Sequence, residues 1–230
     1  MSATELFDFK FYEWEQKHRD RPLLRQPFGD KWEIYTWGEV GQMARKLATG
    51  LKSLGLRENA HIGLISKNCR EWIIADMAIM MAGYISVPFF PSLKGEELNF
   101  LLDYGDVDLI FVGKIETWQD IKNDIPLELP IIKFPNYKGF SIVDRGEEWF
   151  EFLRKHHPIK NPHIPRLSDL WTIIFTSGTT GNPKGVKLSY YAIDETKNIT
   201  LKENPLKVDF SGNNSFISYL PLNHIAERVV

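Results

Sequence analysis

Thr172-Ile-Ile-Phe-Thr-Ser-Gly-Thr-Thr-Gly-Asn-Pro-Lys-Gly-Val186 joins two opposed chemistries within fifteen residues. Its first part, extended back to Trp171, is apolar and β-branched as far as Phe175, the composition of a strand buried on both faces. Its second part holds glycines, hydroxyls and one lysine, with no acidic residue among them. Glycine lets backbone N–H groups come close to a ligand, and serine or threonine adds donors beside them. Lysine adds a compact positive charge suited to phosphate. The stretch therefore reads as a buried strand opening into an anion-holding loop, with a nucleotide triphosphate as the expected anion. Two other phosphate templates fail. The G-x-x-x-x-G-K-[ST] loop is excluded because Gly178 and Gly181 stand three residues apart and Lys184 is followed by Gly185. The dinucleotide fingerprint is only half present.

Outward from this loop the chain alternates strands and helices. Trp32, Ile34 and Tyr35 predict a short strand, and Thr36 with Glu39 a capping box opening a helix. Val40, Met43, Ala44, Leu47, Leu51 and Leu54 recur at helical spacing, and Gly55 is placed to close the helix. His61–Ile65 reads as a strand, Glu71–Ala82 as a helix and Ile85–Phe89 as a strand. Ser92 is expected to cap a helix running to Tyr104, followed by a strand over Asp108–Val112. Such alternation predicts an α/β fold, a mostly parallel sheet with helices on both faces. From Gly113 to Pro165 the pattern loosens, and six of the thirteen prolines fall between Pro126 and Pro165. Short pieces are expected there over Ile131–Phe134 and Arg145–His156. Ser189 should start a further helix, and Ser215–Leu220 should form a strand.

The loop also carries a resemblance. Thr176-Ser-Gly-Thr-Thr-Gly-Asn-Pro-Lys-Gly185 is similar to the phosphate-binding motif of the adenylate-forming superfamily, which includes acyl-CoA synthetases, luciferases and peptide-synthetase adenylation domains. Tyr219-Leu-Pro-Leu-Asn-His-Ile-Ala-Glu-Arg228 resembles that superfamily's second motif, and its two ends most resemble the long-chain fatty acyl-CoA synthetase branch. Tyr35–Glu39, Ser66–Asp76 and Ala82–Pro88 read like the amino-terminal subdomain of the same branch. The resemblance implies part of the large amino-terminal domain of an adenylate-forming enzyme, with residues 1–168 as an amino-terminal α/β subdomain and 169–230 as the start of a nucleotide-binding subdomain. The adenine, ribose and catalytic-lysine elements of that superfamily are not found in this sequence, so an amino-terminal fragment, inactive by itself, is expected.

What the resemblance implies chemically is an ATP-dependent acid–thiol ligase. A carboxylate attacks the α-phosphate of ATP, and coenzyme A then displaces AMP. Thr176, Ser177, Gly178, Thr179, Thr180 and Gly181 would wrap the β- and γ-phosphates, and Thr176 would also face Mg2+. Lys184 would offset the charge of departing pyrophosphate, and His224 would border the acyl carboxylate. The expected partners are ATP, a fatty acid and coenzyme A. An aryl or short-chain acid, transfer to a carrier protein, or a non-catalytic nucleotide- or acyl-binding module remain the alternatives.

Bulk properties narrow the rest. A formal charge of −2 and interspersed charges give no nucleic-acid footprint. The single Cys69 has no partner for an internal disulfide and reads as a packing residue. His156 and His157 lack zinc-ligand spacing and are expected to be solvated. Trp32, Trp37, Trp72, Phe89 and Phe90 are expected in the core. Trp72–Phe90 is long enough to span a bilayer, but Asp76, Gly83, Ser86 and Pro88 break it into a helix and a strand. No secretory signal is evident, and a cytoplasmic location is expected, with fatty-acid substrates implying peripheral contact at the inner face of a membrane. The sequence does not specify the oligomeric state.

Overall fold

In the computed structural model, residues 5–176, 183–204, 207 and 214–228 are described. The chain opens with helix α1 (Phe11–His18) and an antiparallel pair of strands, β1 (Pro22–Phe28) and β2 (Lys31–Thr36). Helix α2 (Trp37–Ser53) follows, and both halves of the expected capping box form: Thr36 Oγ1 accepts from the Glu39 N–H at 3.2 Å, and Glu39 accepts from the Thr36 N–H at 2.7 Å. Next come β3 (His61–Ile65), α3 (Arg70–Ala82), β4 (Ile85–Phe89), α4 (Gly95–Tyr104), β5 (Val107–Val112) and α5 (Trp118–Ile121). The series continues with β6 (Ile131–Lys133), β7 (Glu147–Glu148), α6 (Trp149–Lys155), β8 (Leu170–Thr176), β9 (Lys184–Ser189), α7 (Tyr190–Glu203) and α8 (Ile225–Arg228).

Among the described residues, seven strands make one sheet in the order β7-β6-β5-β3-β4-β8-β9. Neighbours are parallel except β8 and β9, which form an antiparallel hairpin. The sheet therefore runs on past residue 168 without interruption, because β4 pairs with β8 through Ser86 and Thr172.

The period of two along each strand assigns side chains to two cores. Ile62, Leu64, Leu109 and Phe111 pack on one face beneath Leu47 and Leu51 of α2, Trp72 of α3 and Trp149 of α6. Ile65, Val87, Phe89, Ile110 and Val112 pack on the other, beneath Leu98 and Leu101 of α4 and Trp118 of α5. Gly83 ends α3 at φ +80°, a conformation a side chain disfavours, and lets the Tyr84 N–H reach the Ile79 carbonyl at 3.0 Å. Gly41 lets α1 approach α2 closely enough for Arg45 to bind Glu15 through two bonds of 2.7 and 2.5 Å, since a Cβ there would overlap the Glu15 carboxylate.

Several expectations are corrected. Helix α4 starts at Gly95 from Lys94, not from Ser92, and no side chain caps it. Ser189 precedes α7 as expected, yet the six residues before the helix are strand β9. Residues 215–220 form no strand; they are exposed and lack a ladder partner. Trp32 is 65% exposed on the open face of β2, and Phe90 is 38% exposed beyond the end of β4, so neither is core. Trp72 and Phe89 are buried. His156 rests edge-on against Phe152 instead of standing in solvent. No helix among the described residues is long and apolar enough to cross a membrane.

Candidate active site

The segment expected to hold an anion lies between β8 and β9, which pair antiparallel. Thr176 and Lys184 are Cα partners in the last rung before the loop, so their side chains leave the same face of the sheet edge. Both are exposed. Among the described residues neither side chain has a hydrogen-bond or ion-pair partner, which leaves the Lys184 charge free to meet an anion. The expected phosphate ligands Ser177, Gly178, Thr179, Thr180 and Gly181 lie outside the described residues.

The strand's position follows from the parallel sheet. Its rung with β4 aligns Ser86 with Thr172, so Thr176 emerges at the carboxyl edge beside Phe90. The loops after β3 and β5 open at the same edge. From β3 the chain moves to β4 on one side and then crosses to β5 on the other, so the crevice at this reversal lies beyond Ile65 and Val112. Here the Lys67 N–H donates to the Lys114 carbonyl at 3.1 Å, and Lys114 Nζ donates to the Asn68 carbonyl at 2.9 Å.

Asn68 ties the second motif to this crevice. Its Nδ2 donates to Ser218 Oγ at 2.8 Å and to the Leu220 carbonyl at 2.7 Å, and its Oδ1 accepts from the Leu222 N–H at 3.0 Å. Leu222 is buried in the core below, while His224 stays exposed on a turn closed by its own N–H to the Pro221 carbonyl at 2.8 Å. The Ala226 N–H donates to His224 Nδ1 at 3.3 Å. A neutral ring accepting there carries its proton on Nε2, the atom left to face a ligand.

Beneath these loops lies a buried polar cluster. Glu71 is fully buried, accepts from Arg70 Nε at 2.9 Å and takes a short hydrogen bond from the Tyr137 hydroxyl. Arg70 also binds Glu33 at 2.6 Å and stacks 3.9 Å over the Tyr35 ring. Cys69 is buried beside them. Burial, with the nearby Glu71 charge, pushes its thiol up to about 12, so it is no nucleophile.

Magnesium finds little protein to hold it here. Among the described residues no group of three or more His, Cys, Asp or Glu side chains could bind a metal. Thr176 supplies a single hydroxyl, which suits a Mg2+ whose shell comes mostly from phosphate and water.

The sequence reading singled out Thr176, Lys184 and His224 but not Asn68, Asp76, Ser86, Thr172 or Arg228. A signal for some of these was present: Asp76 interrupts an apolar helix and Ser86 an apolar strand, and polar groups at buried positions need partners.

Comparison with known proteins agrees with this architecture. The long-chain-fatty-acid–CoA ligase ACSBG2 of Rattus norvegicus is 28% identical over 240 residues, covering 100% of this chain and 35% of that protein. Long chain acyl-CoA synthetase 5 of Arabidopsis thaliana is 32% identical over 85% of this chain and 31% of its own length. The chain thus spans about a third of the length of these curated relatives. Among solved structures, the anthranilate CoA ligase AuaEII in complex with anthranoyl-AMP superposes with a TM-score of 0.70 at 20% identity, covering 86% of this chain and 38% of its own. A benzoate CoA ligase from Burkholderia xenovorans LB400 also superposes with a TM-score of 0.70, at 15% identity over 86% of this chain and 37% of its own. At these identities the structures speak for the fold alone. The signature of the AMP-binding enzyme family matches residues 11–230, nearly the whole chain. A mostly parallel sheet of this architecture is thus explained by descent: the chain belongs to the AMP-binding enzyme family.

Proposed function

We propose that this chain is the amino-terminal portion of an ATP-dependent long-chain fatty acid–CoA ligase. The observation that carries the reading is the Thr176–Lys184 rung, a cation without a partner among the described residues and a hydroxyl facing the same way, at the two ends of a glycine- and hydroxyl-rich sequence. The names of the curated relatives favour long-chain acids over aryl ones. In the first half-reaction the fatty acid carboxylate attacks the α-phosphate, and pyrophosphate departs. The work of the protein is positioning and charge neutralisation. Lys184 balances the charge of the leaving pyrophosphate, residues 176–181 hold its oxygens, and the Thr176 hydroxyl would help hold a Mg2+ that would neutralise phosphate charge. His224, with Nε2 as donor, borders the carboxylate. In the second half-reaction the thiol of coenzyme A displaces AMP to give the thioester. We place the start of the nucleotide-binding portion at residue 169, where β8 begins its approach to the loop. A cytoplasmic setting, with peripheral contact at a membrane surface, suits the proposed substrates.

The test is ATP–pyrophosphate exchange by the complete gene product across acids from acetate to palmitate. Exchange that peaks with long acids supports the proposal. Exchange that peaks with short or aryl acids redirects the substrate, and none with any acid leaves the loop as part of a non-catalytic binding module.

A further inference from the structure

Arg228 ends α8 four residues after His224, and its side chain is 1% exposed. It donates to Thr172 Oγ1 on β8 at 2.8 Å, to both Asp76 oxygens on α3 at 2.8 and 2.9 Å, and to Ser86 Oγ on β4 at 3.4 Å. The Trp171 ring lies 4.2 Å from it and the Trp72 ring 5.4 Å. Thr172 Oγ1 in turn donates to the Ser86 carbonyl at 2.7 Å. Arg228 thus sits on the seam where β4 joins β8, and Thr172 lies on the same strand as Thr176. Burial of such a pair is weak evidence for stability, since apolar side chains of like volume pack as well. What a planar fork of donors adds is a single orientation.

We propose that Arg228, held by Asp76, is a positioning residue that seats the His224 turn on the β4–β8 seam, so that one strand carries both the phosphate hairpin and the mount of the acyl-side histidine. The proposal deepens the ligase reading and rests on it for the role of His224. Asn68 fixes the near end of the same segment, and Arg228 fixes the far end. His224 is held between two anchors while its own ring stays exposed.

Two conservative variants test this: Asp76→Asn, which keeps shape, and Arg228→Lys, which keeps charge. Hydrogen exchange on the 230-residue chain should show the amides of 222–228 exchanging about tenfold faster or more in both, with β3–β5 unchanged. In ATP–pyrophosphate exchange by the complete gene product, KM for the acid should rise about tenfold. KM for ATP should stay within about twofold. Ile62→Val, a packing change on β3, should move neither constant. Unchanged exchange at 222–228, equal acceleration throughout the sheet, or a parallel rise in both constants would overturn the proposal. Should the parent protein exchange with no acid, the ligase reading falls, while the amide measurement still decides whether Arg228 seats the turn.

Discussion

Along β3, β4 and β5 nearly every side chain is buried, whereas β9, in the same sheet, exposes Lys184, Val186 and Lys187. The first three strands lie between two helical layers and take their stability from apolar contacts on both faces. Among the described residues β9 pairs with β8 on one side only. Exposed lysines on such a strand disfavour pairing with another chain. A buried strand fixes the direction of the segment that follows it, and a strand exposed to solvent keeps the Lys184 charge in water, as the proposed phosphate role requires.

Substitutions on the two sides should separate accordingly. Phe111→Ala empties a fully buried position between the sheet and α6 and should lower unfolding free energy by about 3–5 kcal/mol, read from a denaturant midpoint. Tyr137→Phe removes the hydroxyl that satisfies Glu71 and should cost about 1–3 kcal/mol by the same assay, again on the scaffold side.

Cys69 sharpens the contrast through pH. Burial raises its folded pKa from 9.0 to about 12, while the unfolded thiol ionises near 9.0. Its contribution is intact below that unfolded value and is lost as pH climbs towards the folded one. Above pH 9.0, stability should fall by about 1.4 kcal/mol per pH unit from this group. Cys69→Ala should flatten the slope between about pH 9 and about pH 10, measured by urea unfolding. The smallest effect is expected at the surface: Thr36→Ala dissolves the capping box of α2 for about 1 kcal/mol, visible as a modest drop in Tm.

Much of the scaffold was legible because its signals are local. His61–Ile65 and Ile85–Phe89 are strands with the expected bounds, and Thr36–Glu39 caps as its spacing implies. β9 was not read, since Lys184-Gly-Val-Lys-Leu-Ser189 alternates as an edge strand does and merges with the glycine-rich loop. Pro22 and Pro27 likewise concealed β1, which survives because it has a single partner strand. Phe216-Ile-Ser-Tyr219 looked like a strand by composition, but strand propensity is realised only against a neighbouring strand, and Asn68 holds this segment by other means. The candidate donors are confined to one motif, and only Thr176 and Lys184 of it lie among the described residues. Its anchors could not, because Arg228 meets Asp76 across 152 residues of chain.

The most direct measurement is calorimetric MgATP binding to the complete gene product and to its Lys184→Ala variant, with Tm recorded for both. An unchanged Tm is expected, with a loss of about 1.5–3 kcal/mol in binding, roughly ten- to a hundredfold in Kd. Equal affinities with equal Tm would contradict it, because the free cation at the hairpin mouth would then have no part in holding the nucleotide.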